Sequence, residues 1–199
     1  MNALIDWGGI RYGLVLGRLQ PLHLGHIEYL EAAKSRCDHL VVGITNPDTG
    51  VLIYDDADPK RSRSESNPFS YFDRQQMVAA SLIELGWQHE EFSIVPAPIN
   101  TPEEMVPYIP RPDRTIVFVT VYDPWGDKKA QLIGNLGYTV EILWRRDMRE
   151  RLTTSTDIRK AIRTGGAWRH LVPSAIARYL DQTGWTAVLA AEPEDGIRA

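Results

Sequence analysis

The chain has 199 residues, 43% of them apolar, and a formal net charge of −4, which excludes a disordered chain and the broadly basic footprint of a nucleic-acid binder and predicts one domain with a sizeable core. Its single cysteine, Cys37, excludes an internal disulfide. No stretch approaches the roughly 18 apolar residues of a membrane helix, and no basic region followed by an apolar run opens the chain; the expectation is a cytoplasmic protein with neither membrane nor nucleic acid as partner.

The apolar and β-branched runs predict strands over 12–16, 39–45, 92–95, 115–121 and 139–144. Between and after them, amphipathic stretches predict helices over 25–35, 70–85, 127–136, 155–163 and 173–182. Thr101-Pro102-Glu103-Glu104 has the cap, the proline and the acidic first turn of a short helix, and Gly86 stops the helix before it. The polar stretch 46–66, with Lys60 to Glu65 inside it, reads either as a lid over the site or as a solvated surface loop. The alternation predicts an α/β fold, a Rossmann-like doubly wound parallel sheet of about five strands with C-terminal helices. One domain over 1–186 is expected, its C-terminal helical part at about 155–186, followed by a flexible tail over 187–199.

Two segments carry the chemistry. Gly17-Arg18-Leu19-Gln20-Pro21-Leu22-His23-Leu24-Gly25-His26 falls where the first strand passes into the first helix. It places two imidazoles three residues apart beside the unpaired N–H groups and positive dipole end of a helix start, which suits a polyphosphate. Thr154-Ser155-Thr156-Asp157-Ile158-Arg159 repeats the device, with a hydroxyl cap and the cations Arg159 and Lys160 in the first turn. Sheets of this kind bind ligands beyond the carboxyl ends of the strands where strand order reverses, which is where residues 17–26 fall. Residues 145–163 carry seven cations (Arg145, Arg146, Arg149, Arg151, Arg159, Lys160, Arg163) against three anions. A positive island in an acidic protein fits a small polyanion better than a long nucleic acid; the plainer reading is a solvated helix face.

Each candidate has a plainer reading. His23 and His26 could cap and decorate a helix, Asp73 and Arg74 could be a surface pair, and Trp125, Trp144 and Trp168 could be packing residues. Metal ligation by the two histidines lacks a third ligand close in sequence.

The run at 17–26 followed by Ser155-Thr156-Asp157-Ile158-Arg159 resembles the nucleotidylyltransferases that share a His-x-Gly-His motif, most closely the archaeal-type nicotinamide-nucleotide adenylyltransferases and related cytidylyltransferases. Asn67-Pro68-Phe69-Ser70-Tyr71-Phe72-Asp73-Arg74 and Trp168-Arg169-His170-Leu171-Val172-Pro173 are similar to two further blocks of that family, so the resemblance spans nearly the whole chain. It implies transfer of a nucleoside monophosphate from a triphosphate to a phosphate-bearing acceptor with release of pyrophosphate. His23, His26, Arg159 and Arg18 would act on the phosphates, and Gly17, Leu19, Gln20, Gly25, Thr154, Ser155, Thr156 and Ile158 would bind the nucleotide. Mg²⁺, held mainly through triphosphate oxygens, needs no side-chain metal site. A homo-oligomer is expected on the same ground.

The acceptor is less determined. The family's Asn-x-x-Trp element for nicotinamide is here Asn100-Thr101-Pro102-Glu103, without the tryptophan. The first reading is adenylyl transfer from ATP to nicotinamide mononucleotide; the second is a CTP-dependent cytidylyltransferase acting on a small phosphonate or phosphate acid; the third is a nucleotide-binding regulator without turnover. Asn100, Tyr122, Asp123, Trp125, Lys128, Lys129, Arg145, Arg146 and Arg74 are the expected acceptor-binding residues.

Overall fold

The computed structural model describes Gly9, residues 11–54 and residues 62–191. Five strands, β1 (Tyr12–Gly17), β2 (His39–Thr45), β3 (Phe92–Ala97), β4 (Thr115–Val121) and β5 (Thr139–Arg145), form one parallel sheet in the order β3-β2-β1-β4-β5. Strand order reverses at β1, so the central strand opens the sheet on both sides in turn. The helices are α1 (Leu24–Lys34), α2 (Tyr71–Glu84), α3 (Pro102–Met105), α4 (Pro124–Asn135), α5 (Ser155–Arg163), α6 (Ser174–Gln182) and α7 (Trp185–Ala191). The fold is the Rossmann-like α/β arrangement that the alternation predicts.

Strand side chains alternate between two cores, as a period of two requires. Val15, Leu40, Val42 and Phe118 join the cluster built with Leu30 of α1, Met77 and Leu82 of α2, Ile158 of α5 and Ile176 of α6. Leu14, Leu16, Val41, Val117 and Val119 face the opposite cluster, with Met105, Trp125, Ile133 and Tyr138.

Three boundaries differ by more than one residue from the sequence reading, each for a local reason. β3 runs through Pro96 to Ala97, with Pro96 opposite Ile44; an edge strand tolerates a residue that donates no ladder bond. α4 begins at Pro124 rather than at 127, because Asp123 caps it by accepting from the Gly126 N–H at 3.0 Å and proline fits the first turn. The tail expected from 187 begins as helix α7, whose Leu189 is fully buried; residues 192–199 lie outside the described residues. Lys60 and Arg61, part of the possible lid, also lie outside them.

The pairing of β1 shapes the site. With β2 it is continuous from Tyr12↔His39 to Gly17↔Ile44, whereas with β4 it stops at Leu14↔Val117. Past that point β1 and β4 part, and a crevice opens at their carboxyl ends.

Candidate active site

The crevice is floored by side chains that stand in for missing ladder bonds. The Tyr29 hydroxyl of α1 donates to the Phe118 carbonyl, and Lys129 Nζ of α4 donates to the Leu16 carbonyl at 3.4 Å, 5.8 Å from the Tyr29 ring centroid. Burial pushes the Tyr29 phenol well above its usual value, so it stays a donor.

Above this floor the loop 18–23 leads into α1. Leu19 sits in the left-handed region with φ 55°. Gln20, buried, clasps the Phe69 backbone in both directions at 3.1 and 3.0 Å. His23 caps α1 through its carbonyl, which accepts from the N–H groups of His26 and Ile27 at 2.8 and 3.1 Å. The two imidazoles stack with centroids 3.7 Å apart and planes at 29°. Gly25 permits this approach, because a Cβ there would come within 3.2 Å of the His23 ring.

Both rings are held neutral. Burial lowers His23 to about 4, with the Arg151 charge adding to the effect and Asp157 opposing it. His26 lies well below its ordinary value, first through burial and then through His23, Arg151, Arg18 and Lys129. Nδ1 of each ring is buried without a hydrogen-bond partner. Two neutral imidazoles with the charges of Arg151, Arg18 and Lys129 acting on them make an electropositive arrangement whose ring N–H groups are able to donate to anionic oxygens.

The second segment docks on the first. Ser155 Oγ donates to the Pro21 carbonyl at 3.0 Å, and Arg159, buried, donates to the Gln20 carbonyl and to Thr156 Oγ1. Thr154 and Asp157 form a capping box at the start of α5, so Asp157 is occupied by the helix. The two segments, over 130 residues apart in sequence, therefore meet at one place.

The other expected residues divide into groups. Gly17 and Gly25 shape the loop around the His23–His26 stack, Arg18 acts on His26, and Ser155, Thr156 and Arg159 dock the start of α5 on that loop. Leu19, Gln20 and Ile158 are buried and engaged within the protein, so they shape the loop and seat α5 instead of offering side chains. Two acceptor assignments are corrected. Arg74 is fully buried and donates to the carbonyls of Ser70, Arg18, Thr45, Asn46 and Pro47 at 2.8–3.4 Å; it staples the ends of β1 and β2 to α2. Burial and nearby Arg18 lower it to about 10, still far above neutrality. Trp125 is 6% exposed in the core under α4, so its ring has no face for a ligand. Asp73, expected as its partner's pair or a surface group, caps α2 and accepts from Tyr179 and Trp185.

Tyr122, Asp123, Arg145 and Arg146 line a cleft of about 630 Å³ at the ends of β4 and β5. Its charges are paired across elements: Arg145 with Asp127 and Arg146 with Glu28, each at 2.8 Å. Trp144 donates to the Tyr122 hydroxyl at 2.9 Å. Lys128 lies 5.8 Å from the Trp125 ring centroid on the exposed side of α4, and Asn100 stands on the other side of β1, beyond the end of β3. Sequence reasoning missed Arg151 as a site residue. Its guanidinium stacks 4.4 Å from the Tyr122 ring, donates to Asp123 at 3.3 Å and acts on both histidines; the only signal was its place in the positive island.

Among the described residues no group of three or more His, Cys, Asp or Glu could hold a metal, and no helix is long and apolar enough to cross a membrane.

Comparison with known proteins matches residues 14–161 to the family described as cytidylyltransferase-like. The chain is 45% identical over 172 residues to a phosphonoformate cytidylyltransferase of Streptomyces viridochromogenes, covering 86% of this chain and 91% of the relative. It is 30% identical over 175 residues to a nicotinamide-nucleotide adenylyltransferase of Pyrococcus abyssi, covering 85% and 82%. A bifunctional NMN adenylyltransferase/ADP ribose pyrophosphatase from Francisella tularensis shares the fold, with a TM-score of 0.65 at 15% identity over 92% of this chain and 53% of that one.

Proposed function

This chain belongs to the cytidylyltransferase-like family and is a nucleotidyltransferase, and from that premise we propose that it transfers CMP from CTP to a small phosphonate acid of the phosphonoformate class, releasing pyrophosphate. The observation that carries the reading is the 45% identity to a phosphonoformate cytidylyltransferase across nearly the whole of both chains. It favours the second reading of the sequence over adenylyl transfer to nicotinamide mononucleotide, whose named relatives stand near 30%. The buried Trp125 and the missing tryptophan after Asn100 point the same way, since a nicotinamide ring calls for an aromatic or amide slot.

Size divides the site. A cleft of about 630 Å³ falls in the range that encloses a drug-sized ligand, which suits a nucleoside and is far larger than a phosphonoformate. We therefore assign the Tyr122–Arg146 cleft, whose residues the sequence reading gave to the acceptor, to the nucleoside of CTP. The small acceptor is assigned to the rest of the site, where Arg18 lies near the histidines.

In the reaction a phosphonate oxygen attacks the α-phosphorus of magnesium-bound CTP as the bond to the bridging oxygen breaks and pyrophosphate leaves. The acceptor oxygen is already ionised, so no general base is required; the task is to bring two anions together and stabilise the departing charge. His23 and His26 donate to phosphate oxygens as neutral rings, while Arg18, Lys129, Arg151 and Arg159 supply positive charge around them. The N-terminus of α5 adds unpaired N–H groups and its dipole. Mg²⁺, held mainly through the triphosphate oxygens, would offset their charge during transfer.

The test crosses CTP and ATP with phosphonoformate and nicotinamide mononucleotide in a pyrophosphate-release assay with Mg²⁺. Turnover with CTP and phosphonoformate, at least tenfold faster than any other pair, is expected. Turnover restricted to ATP and the mononucleotide would overturn the substrate assignment, and none with any pair would favour the non-catalytic reading.

A further inference from the structure

A second constellation lies at the other end of the sheet, at the amino ends of the strands. His39 opens β2 and is 6% exposed. Its Nδ1 lies 2.8 Å from the Glu90 carbonyl oxygen, and its Nε2 lies 2.8 Å from Ser93 Oγ on β3. A carbonyl can only accept, so the proton of the neutral ring sits on Nδ1 and the Ser93 hydroxyl donates to Nε2. Tyr12, opposite His39 in the ladder, sets its ring against the imidazole with centroids 5.5 Å apart. The tautomer and the orientation of the base are thereby fixed by groups other than the serine.

Side-chain alternation places Ser93, paired with Val41, on the same face as His39. There Ser93 lines a cavity of about 430 Å³ whose walls include Val41, Val95 and Tyr108, with Arg111 and Arg114 on the same wall. A nucleophile, a base and a base orienter beside an apolar cavity with cations are parts of an acyl-transfer site, recognised by geometry rather than by position in sequence. The nucleotide chemistry at the opposite ends of the strands uses none of them.

We propose that Ser93, activated by His39, is the nucleophile of a second site that cleaves esters with an apolar acyl part and an anionic end. Ser93 Oγ bonds to the acyl carbon while its proton passes to His39 Nε2. The ester C–O bond then breaks and the alcohol leaves with that proton. Water, deprotonated by His39, hydrolyses the acyl-serine and restores the hydroxyl. Arg111 and Arg114 offset negative charge on the substrate within the cavity.

The experiment treats the full chain with a fluorophosphonate, which forms a stable Ser–O–P bond with loss of fluoride, and locates the adduct by peptide mass mapping. One equivalent on Ser93 is expected in the native protein, none at that peptide in Ser93→Ala, and labelling at least tenfold slower in His39→Gln. Urea-unfolded protein separates fold-dependent activation from intrinsic reactivity and keeps the test meaningful if His39→Gln does not fold. No adduct on Ser93 in native protein, equal labelling after unfolding, or a wild-type rate in folded His39→Gln would each overturn the proposal. Pyrophosphate release by Ser93→Ala at the wild-type rate is expected, which separates this site from the nucleotidyltransferase site.

Discussion

Acid should destabilise this fold through its active-site histidines well before its carboxylates titrate. His23 binds a proton near pH 4 in the folded chain and near 6.5 when unfolded. Between those values the unfolded state holds the extra proton, so stability is fully present above about 6.5 and is lost as pH falls toward 4. The span of about 2.5 units at 1.36 kcal/mol each gives roughly 3 kcal/mol in all, of which about 2 kcal/mol is lost between pH 7.5 and 5 by the same linkage. His26 adds to the loss in the same direction. Paired carboxylates such as Asp73 and Glu84 are also depressed, but from ordinary values of 3.8 and 4.5, so their contribution comes mainly below pH 5. Urea unfolding at pH 7.5 and 5.0, for wild type and His23→Asn, isolates the effect. Wild type should lose about 2 kcal/mol more than the variant over that interval. An identical pH dependence would mean that His23 is not held neutral by burial and would undo the account of the phosphate site as two uncharged donors among cations.

Arg74→Met should cost about 3–5 kcal/mol, the range for removing one side of a buried charged network, because five backbone carbonyls lose their donor at once. Thermal or urea unfolding within 1 kcal/mol of wild type would contradict the staple, whereas Arg74→Lys should rescue little because an ammonium lacks the planar fork. Ser155→Ala should cost about 1 kcal/mol through the lost hydrogen bond to the Pro21 carbonyl. The same variant should raise the KM for CTP more than it lowers kcat in the pyrophosphate-release assay; an unchanged KM would detach α5 from the triphosphate.

What the sequence made legible was local. Strand patterning, the Gly17–His26 passage and the capping signal at Thr154 all act within one or two turns of chain, and the structure has each of them. The lost information is long-range. Asp73 and Arg74 are adjacent and opposite in charge, yet Asp73 serves the start of α2 and two groups from the C-terminal helices, while Arg74 serves the ends of β1 and β2. Adjacent helical positions do not face each other, so their proximity in sequence said little about pairing. Trp125 lies in the first turn of α4, which the sequence reading began only at 127, and that turn presses onto β4; a Cβ at Gly126 would lie only 3.0 Å from the Val121 backbone. The ring's burial follows from that approach.

The parting of β1 and β4 explains why the site is both polar and rigid. A parallel sheet that splits leaves backbone carbonyls without ladder partners, and burying them unpaired would cost free energy. Here the split is closed from both faces, by Tyr29 of α1 on the Phe118 carbonyl and by Lys129 of α4 on the Leu16 carbonyl. Lys129 was expected as a cation for the acceptor. Its charge acts on His26, where it helps keep that ring neutral. Lys129, one of the two groups that close this split, is thus also one of the charges that keep His26 neutral.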